Sequence, residues 1–497
     1  MKKRKIIIPA ILSILACGSI AAGSTYALFT SESKVNVAIT SGKVEVNATL
    51  SGLEAYSPTE IATDGTISND SNLANNENEI KVFGNGGTAQ IDEGTLKLSN
   101  VTPGDKVSFD IKINNKSSVK ALYRVVIGCN KDNGLFEGLD VNLNAGSLEF
   151  TQNVSGITAI SKYVQIEPNS EEKSIKVDIE LPSTKGNTYA GKECDIECKV
   201  EAVQGNAQVS DGEKGVLELY NKTDLVSYGK LEGKIDSTTY PDESPLHDYS
   251  TIKLMNDIDL NNEEWTPLSN LRMAFDGNNK TIKNLKINQE NSNNLGLFST
   301  IQGRYATYDV PAVKDLTIEN VDINGDKHIG ALTGEMIGGT TIENVTVKGS
   351  IKIVGSRDLG AIGGYCYGNF LNCSVDGTSK DTSYIKGNTD DQKNVGGIAG
   401  WTSEGTKEVK GCSVKNISLY GVQNIGGITS TTQKNGLISN CSVENVDINV
   451  NNTELNCVGK ILGRYVLNDT TYQGDGIPNG KVTDCTTNNV TITYNNN

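Results

Sequence analysis

Histidine is nearly missing from this chain, with only His247 and His328 in 497 residues. A zincin needs two histidines at i and i+4 on a helix with a glutamate as general base, and this chain offers no such pair. Positive charge is also scarce: 45 Lys and Arg face 60 Asp and Glu, a formal net charge of −15. No basic patch relieves this acidity, so nucleic acid is excluded as a partner. Aromatic residues make up only 6% of the chain, and no segment after residue 22 has the ~20 unbroken apolar residues that span a bilayer. No CxxC pair sits near a histidine, which removes the common zinc-finger spacings. What the chain does hold in quantity is glycine, 52 residues, with abundant Asn and Thr.

The N-terminus fixes the expected compartment. Lys2-Lys3-Arg4-Lys5, the apolar run Ile6 to Ala22 and Thr25-Tyr26-Ala27 read as the charged, apolar and cleavage regions of a signal peptide, residues 1–27. Cleavage is expected between Ala27 and Leu28, giving a secreted protein of the cell surface or extracellular matrix with no transmembrane segment once the signal is removed. It takes away four positive charges and no negative ones, which shifts the formal net charge from −15 to −19. Cys17 goes with it, and the nine remaining cysteines, an odd number, cannot form a fully paired disulfide framework. At the other terminus, Val490 to Asn497 shows no LPxTG-like sorting signal, so covalent wall attachment is not expected.

Six times between Leu295 and Gly459 an aliphatic residue precedes Gly and then small or apolar residues, as in Ile329-Gly330-Ala331-Leu332 and Val395-Gly396-Gly397-Ile398. The glycines are Gly296, Gly330, Gly360, Gly396, Gly426 and Gly459, spaced by 34, 30, 36, 30 and 33 residues. Such a period signals stacked repeats. A second series, Leu285, Leu316, Val345, Cys373, Cys412, Cys441 and Cys485, occupies one slot of an alternating frame such as Ile342-Glu343-Asn344-Val345-Thr346-Val347. Alternation of period 2 belongs to strands. A unit of about 30 residues made of strands and Asn-, Asp- and Gly-rich turns predicts a parallel β-helix, with this series as an apolar ladder and the glycines where backbones turn or approach closely. Four cysteines share the slot with Leu and Val, so they read as small buried hydrophobes rather than metal ligands. Cys366 and Cys457, near Gly phrases, read the same way, and no metal or cofactor is expected. Stacked cysteines on adjacent coils retain a route to disulfides where geometry allows.

Residues 28–205 differ in kind. Val35–Val46, Thr95–Leu98, Lys106–Ile113, Ala121–Ile127, Ser147–Thr151, Tyr163–Ile166, Lys173–Leu181 and Glu193–Ala202 read as short strands parted by turns such as Thr102-Pro103-Gly104-Asp105. Residues 54–90 read as a surface insertion. The predicted architecture is all-β: a jelly-roll or β-sandwich over 28–205, a linker and leading cap over 206–250, and β-helix repeats over 251–497.

Gly23-Ser24-Thr25-Tyr26-Ala27-Leu28-Phe29-Thr30, with Ile39-Thr40-Ser41-Gly42-Lys43-Val44, the Pro103-Gly104-Asp105 turn and Tyr123-Arg124-Val125-Val126-Ile127, resembles the TasA and camelysin family of Gram-positive bacteria. That resemblance implies a jelly roll, export with cleavage after Ala27, and assembly into biofilm-matrix fibres. Phe275-Asp276-Gly277-Asn278-Asn279-Lys280-Thr281-Ile282-Lys283-Asn284-Leu285, with the six Gly phrases, resembles the GLUG-repeat modules of bacterial surface adhesins, over residues 216–497. Camelysin-type proteins are often labelled metallopeptidases, which the missing histidine pair speaks against. Cys194 and Cys198 share a strand face about 13 Å apart, too far for one bond or one metal. Either has Cys129 as an alternative cross-strand partner.

Catalysis has weak candidates. β-Helix lyases and hydrolases use carboxylates with Lys or Arg, which nominates Asp358 with Arg357, or Asp390 and Asp391, but no such cluster recurs on neighbouring coils. Asp257 to Glu264 lacks the spacing and glycine of a calcium loop, and Trp265 is expected to be buried near the cap. The expected function is an adhesin or matrix protein and not an enzyme. Its sandwich would self-assemble by exchange of the strand segment Leu28–Ala38, and its solenoid would bind a glycan or cell-surface ligand. The alternatives are a polysaccharide-active enzyme and a spacer without ligand. The uneven spacing points to residues 376–392 and 464–480 as turn insertions where binding is built.

Overall fold

A computed structural model describes residues 30–34, 44–61, 67–70, 80–144, 148–207, 215–235, 244–302, 312–388, 393–403, 406, 408–451 and 457–495. The fold is all-β, with an N-terminal sandwich followed by a parallel β-solenoid of about seven turns over residues 216–466.

The sandwich forms because two sets of alternating strands each have one apolar face to bury. In one sheet, Lys106–Asn115 pairs antiparallel with Val46–Ile61 and with Lys173–Glu180, setting Phe109 opposite Val177 and Ile111 opposite Ile175. The facing sheet centres on Ala121–Asp132 and Glu193–Gln204, with Thr95–Ser99 and Thr88–Asp92 outside the latter. Phe109, Ile111, Val125, Ile127, Val177 and Ile196 are fully buried between them. Within the span 54–90, read as including a surface insertion, the described residues are mostly sheet: Val46–Ile61 runs on past residue 54, and Lys81–Val82 and Thr88–Asp92 join the other sheet. Gly52, at φ +66, shifts the register between Ser51 and Glu54, and this bulge hides the alternation from a sequence pattern. Thr30–Lys34 pairs antiparallel with Lys199–Val203, alongside the stretch that Thr95–Ser99 leaves uncovered.

The solenoid begins earlier than the predicted residue 251. Val216–Leu219 already pairs in parallel with Thr251–Leu254, so the span read as linker and solenoid entry or cap carries the first rung. It also carries a helix, Lys222–Gly233, capped by the Asn221 side chain, which accepts from Asp224 N at 3.0 Å. Leu225 and Tyr228 bury one face of this helix on the first coil, and Trp265 is 4% exposed at the coil's edge, donating to Leu297 O. Terminal caps of this kind close a core that stacking alone would leave open.

Each coil turns at residues held in the left-handed region, and the sequence supplies asparagine there. Among described non-glycine residues with positive φ, only Glu93, His328 and Lys434 are neither Asn nor Asp. These two residue types tolerate that conformation best after glycine. The turns stack: Asn489 Nδ2 donates to Asn445 Oδ1 at 2.9 Å, Asn445 to Asn416 at 2.7 Å and Asn416 to Asp376 at 2.8 Å.

The sandwich and solenoid meet through a buried polar joint. Arg124 lies between Glu201, at 2.7 Å, and Glu218, at 3.2 Å, and donates to Tyr220 Oη at 2.8 Å. Asp224, fully buried, accepts from Thr158 N, Thr158 Oγ1 and Tyr220 N, each at about 2.8 Å. Burial pushes the Asp224 carboxyl up to about 6, against partial compensation by these hydrogen bonds.

Two predictions follow from the turns and the joint. Asn416→Ala keeps a Cβ in the left-handed region and loses the amide ladder, so it should lower stability by about 2 kcal/mol; Asn416→Gly should cost about half as much. Denaturant midpoints of the two variants check this order. For Asp224, the folded value of about 6 lies above the ordinary 3.8. Its contribution to stability is therefore full below about pH 4 and is lost as pH rises through about 6. The melting temperature of the native chain, relative to Asp224→Asn, should fall between pH 4 and pH 7. Parallel pH profiles would refute this assignment.

Candidate binding face

Two residues before the phrase glycines lie Asn294, His328, Asp358, Asn394 and Asn424, all at φ between 55 and 66. Successive coils stack these turns directly. His328 Nδ1 is 2.9 Å from Asn294 Oδ1, and His328 Nε2 is 3.2 Å from Asp358 Oδ2. Asn394 Nδ2 donates to Asp358 Oδ1 at 2.6 Å and Asn424 Nδ2 to Asn394 Oδ1 at 2.8 Å. Arg357 Nε adds a contact of 3.2 Å to Asp358. Asp358 is fully buried, and both its oxygens serve the ladder.

Five residues after the glycines stands a second row. Glu335, Tyr365, Trp401, Thr431 and Arg464 face one another in parallel register on five consecutive coils. Tyr365 and Trp401 are partly exposed, with ring centroids 5.7 Å apart at 62°. The His328 ring lies 5.4 Å from that of Tyr365, and Tyr367, two residues along the same face, is 38% exposed. Glu335 accepts from Asn294 Nδ2 at 3.1 Å. The inward Cys366 between the two tyrosines has its thiol pushed up first by burial and then by Asp358 and Glu335. The buried indole N–H of Trp401 has no acceptor among the described residues. Aromatic faces beside rows of amides and charges suit the stacking and hydrogen bonding of a polyhydroxylated ligand.

The sequence-predicted residues fall elsewhere on this frame. The phrase glycines mark close approaches: a Cβ at Gly330 would lie 2.5 Å from Ile362 O, at Gly396 2.0 Å from Ala399 O, and at Gly459 2.1 Å from Leu462 O. Gly296, Gly360 and Gly426 are as tight, at 2.4, 2.3 and 2.0 Å from backbone oxygens. Leu316 and Val345 are in direct register, and the neighbouring pairs Thr346 with Ser374, Ser374 with Ser413, Ser413 with Ser442 and Ser442 with Thr486 carry the ladder through Cys373, Cys412, Cys441 and Cys485. Leu285 departs from this series. It pairs with Val321, which pairs with Ile351, while Lys280 stands opposite Leu316. A second Asn turn, at Asn284 and Asn320, is also followed by an aliphatic residue, so the same local frame occurs at two places on the coil.

The remaining candidates are also placed. Asp257, Asp259 and Glu264 accept from Thr281 N, Asn261 N and Asn288 N, which commits these carboxylates to the first coils. His247 lies beside Asp248 on an exposed turn. Residues 464–480 hold an antiparallel excursion, Leu462–Leu467 against Thr470–Tyr472, and in 376–392 Lys380 reaches Asp447 at 3.0 Å. Ala27, Leu28, Asp390 and Asp391 lie outside the described residues. Sequence reasoning missed the aromatic row, although a constant offset of five from Gly330, Gly360, Gly396, Gly426 and Gly459 finds all five members.

No family model matches the chain, and no solved structure matches it. Among curated proteins, 98 residues, 20% of the chain, are 35% identical to part of halomucin of Haloquadratum walsbyi. A further match, 28% identical over 172 residues and covering 32% of the chain, is to part of an immunoglobulin A1 protease of Streptococcus sanguinis. The matched stretches are 1% and 8% of those proteins, so the chain spans only a small part of either. Among the described residues, no helix is long and apolar enough to cross a membrane.

Proposed function

We propose that this chain is an exported surface or matrix protein whose solenoid binds a saccharide along the partly exposed residues Glu335, Tyr365, Trp401 and Arg464, with the buried Thr431 holding register between the last two. The observation that carries this reading is the pair of partly exposed rings on adjacent coils, beside the partly exposed Asn294 and His328; Asp358, Asn394 and Asn424 of the same turn ladder are buried and hold the coils in register. A pyranose offers an apolar C–H face for such rings and hydroxyls for Glu335 and Arg464 at either end of the row. The likeness to segments of a halomucin and an immunoglobulin A1 protease supports an extracellular setting, as do the N-terminal signal pattern and the resemblance to GLUG-repeat modules. Catalysis forms no part of the proposal. Asp358 is buried, with both oxygens engaged by Asn394, His328 and Arg357.

Trp401→Ala should lower retention of the chain on its target polysaccharide, in a panel of bacterial and host glycans, by about tenfold or more, an effect of the size expected for a central aromatic contact. Equal retention of native chain and variant, or no retention of either on any glycan or cell surface, overturns the reading. Release of reducing ends or unsaturated products would favour an enzyme instead.

Self-assembly is the second element of the proposal. Lys199–Val203 has one edge covered by Thr30–Lys34 and by no other described strand. A segment that pairs through five residues at a sheet edge is suited to exchange between copies, as the resemblance to TasA implies. Electron microscopy of the secreted chain should show fibres that disappear when residues 28–38 are deleted. Monomers in both preparations would remove this element and leave the saccharide reading standing.

A further inference from the structure

We propose that Cys129, Asp132 and Cys194 form a binding site for one thiophilic divalent cation, zinc in the first instance. Their two sulfurs and a carboxylate oxygen all lie within 4.8 Å of one another. A tetrahedral zinc holds sulfur and oxygen donors about 3.5–3.8 Å apart, so small side-chain movements close this set around an ion. The sequence spacing hides the site, because its donors come from two strands 62 or more residues apart.

A break in the sheet produces the convergence. The strand Ala121–Asp132 pairs with Glu193–Gln204, and the register shifts between Asp195 and Ile196: Ile196 faces Cys129, Asp195 faces Lys131 and Cys194 faces Asp132. Asn130 is the extra residue, left without a facing partner. In regular pairing, Asp195 would face Asn130 and Cys194 would face Lys131, and Asp132 would fall on the opposite face of the sheet from Cys194. A bulge of this type re-aims side chains, and it is a second feature of the backbone that points to the cluster.

The donors are also prepared. Asp132 Oδ1 accepts from Leu135 N at 2.7 Å and Phe136 N at 3.1 Å, which fixes the carboxylate and leaves its other oxygen uncommitted by either bond. Cys129 and Cys194 are buried among apolar residues, at 0% and 1% exposure. Among the described residues Lys131 pairs with Glu193 and not with Asp132, and the Cys129 thiol donates to Lys131 O at 3.1 Å, a bond that metal binding would give up with its proton. Orientation of a ligand by fixed outer hydrogen bonds is characteristic of metal centres. Binding would exchange two S–H protons for two metal–sulfur bonds: two thiols and Zn²⁺ give a dithiolate complex and two H⁺, with water completing the tetrahedron. Cys198, four residues from Cys194, is buried on the same face but stands outside the cluster.

The test uses the full secreted chain, purified without chelator, with bound zinc measured by atomic emission and cobalt substitution followed by absorption. One zinc per chain and a sulfur-to-cobalt charge-transfer band are expected. Both should vanish in Cys194→Ser and persist in Cys198→Ser, and Asp132→Asn should bind cobalt about tenfold or more weakly. Chelator should lower the melting temperature of the native chain and of Cys198→Ser, but not of Cys194→Ser. The proposal is overturned if the native chain takes up neither metal with its thiols free. It is equally overturned if non-reducing peptide mapping recovers a Cys129–Cys194 disulfide, or if uptake survives in Cys194→Ser.

Discussion

The solenoid depends on left-handed turns that can be stacked. A chain of L-residues resists that conformation, at about 1–2 kcal/mol for each residue with an ordinary side chain. Glycine avoids the cost but contributes nothing to the next coil. Asparagine tolerates the angle and also has a donor and an acceptor, so one turn hydrogen-bonds to the next, as in the chain from Asn489 through Asn445 to Asn416. Where Gly349 takes such a position, the Ser350 N–H bonds to Asn320 Oδ1 instead and keeps the stack continuous. The abundance of asparagine is thus a requirement of the fold, with stacked amides that are buried at Asn394 and Asn424 and partly exposed at Asn416 and Asn445.

The candidate binding face results from the same constraint. Because one turn always precedes the phrase glycine by two residues, whatever side chain occupies that position is set in line with its neighbours. His328 and Asp358 enter this row in place of asparagine and concentrate charge there. The row five residues beyond the glycine is held in register by the strands themselves, which brings Tyr365 and Trp401 together without any contact encoded locally. The candidate face and the structural repeat are therefore two outcomes of one periodicity.

Much of the architecture was legible from the sequence because period-2 alternation and glycine spacing are local signals. The all-β class, the sandwich followed by a solenoid and the cysteine ladder all rest on such signals. Leu285 was misplaced because Lys280 occupies the ladder slot of that coil, so the frame of an Asn followed by an aliphatic residue appears there only at the other turn, Asn284-Leu285. The helix Lys222–Gly233 left little periodic trace, since its burial is shared between the first coil and the sandwich. The cluster at Cys129 was hidden for another reason: a one-residue bulge changes which side chains meet, and no pattern along a single strand reports it.

The joint between the two units has a mechanical meaning. Arg124, Glu201, Glu218 and Tyr220 tie a central sandwich strand to the first rung of the solenoid, and Asp224 ties the cap helix to Thr158. Pulling on a ligand held near Trp401 would load these contacts together in shear, rather than swing the solenoid about a slack tether. Tension would pass from the coils into the sandwich core, making the two domains a single strut between whatever each end holds.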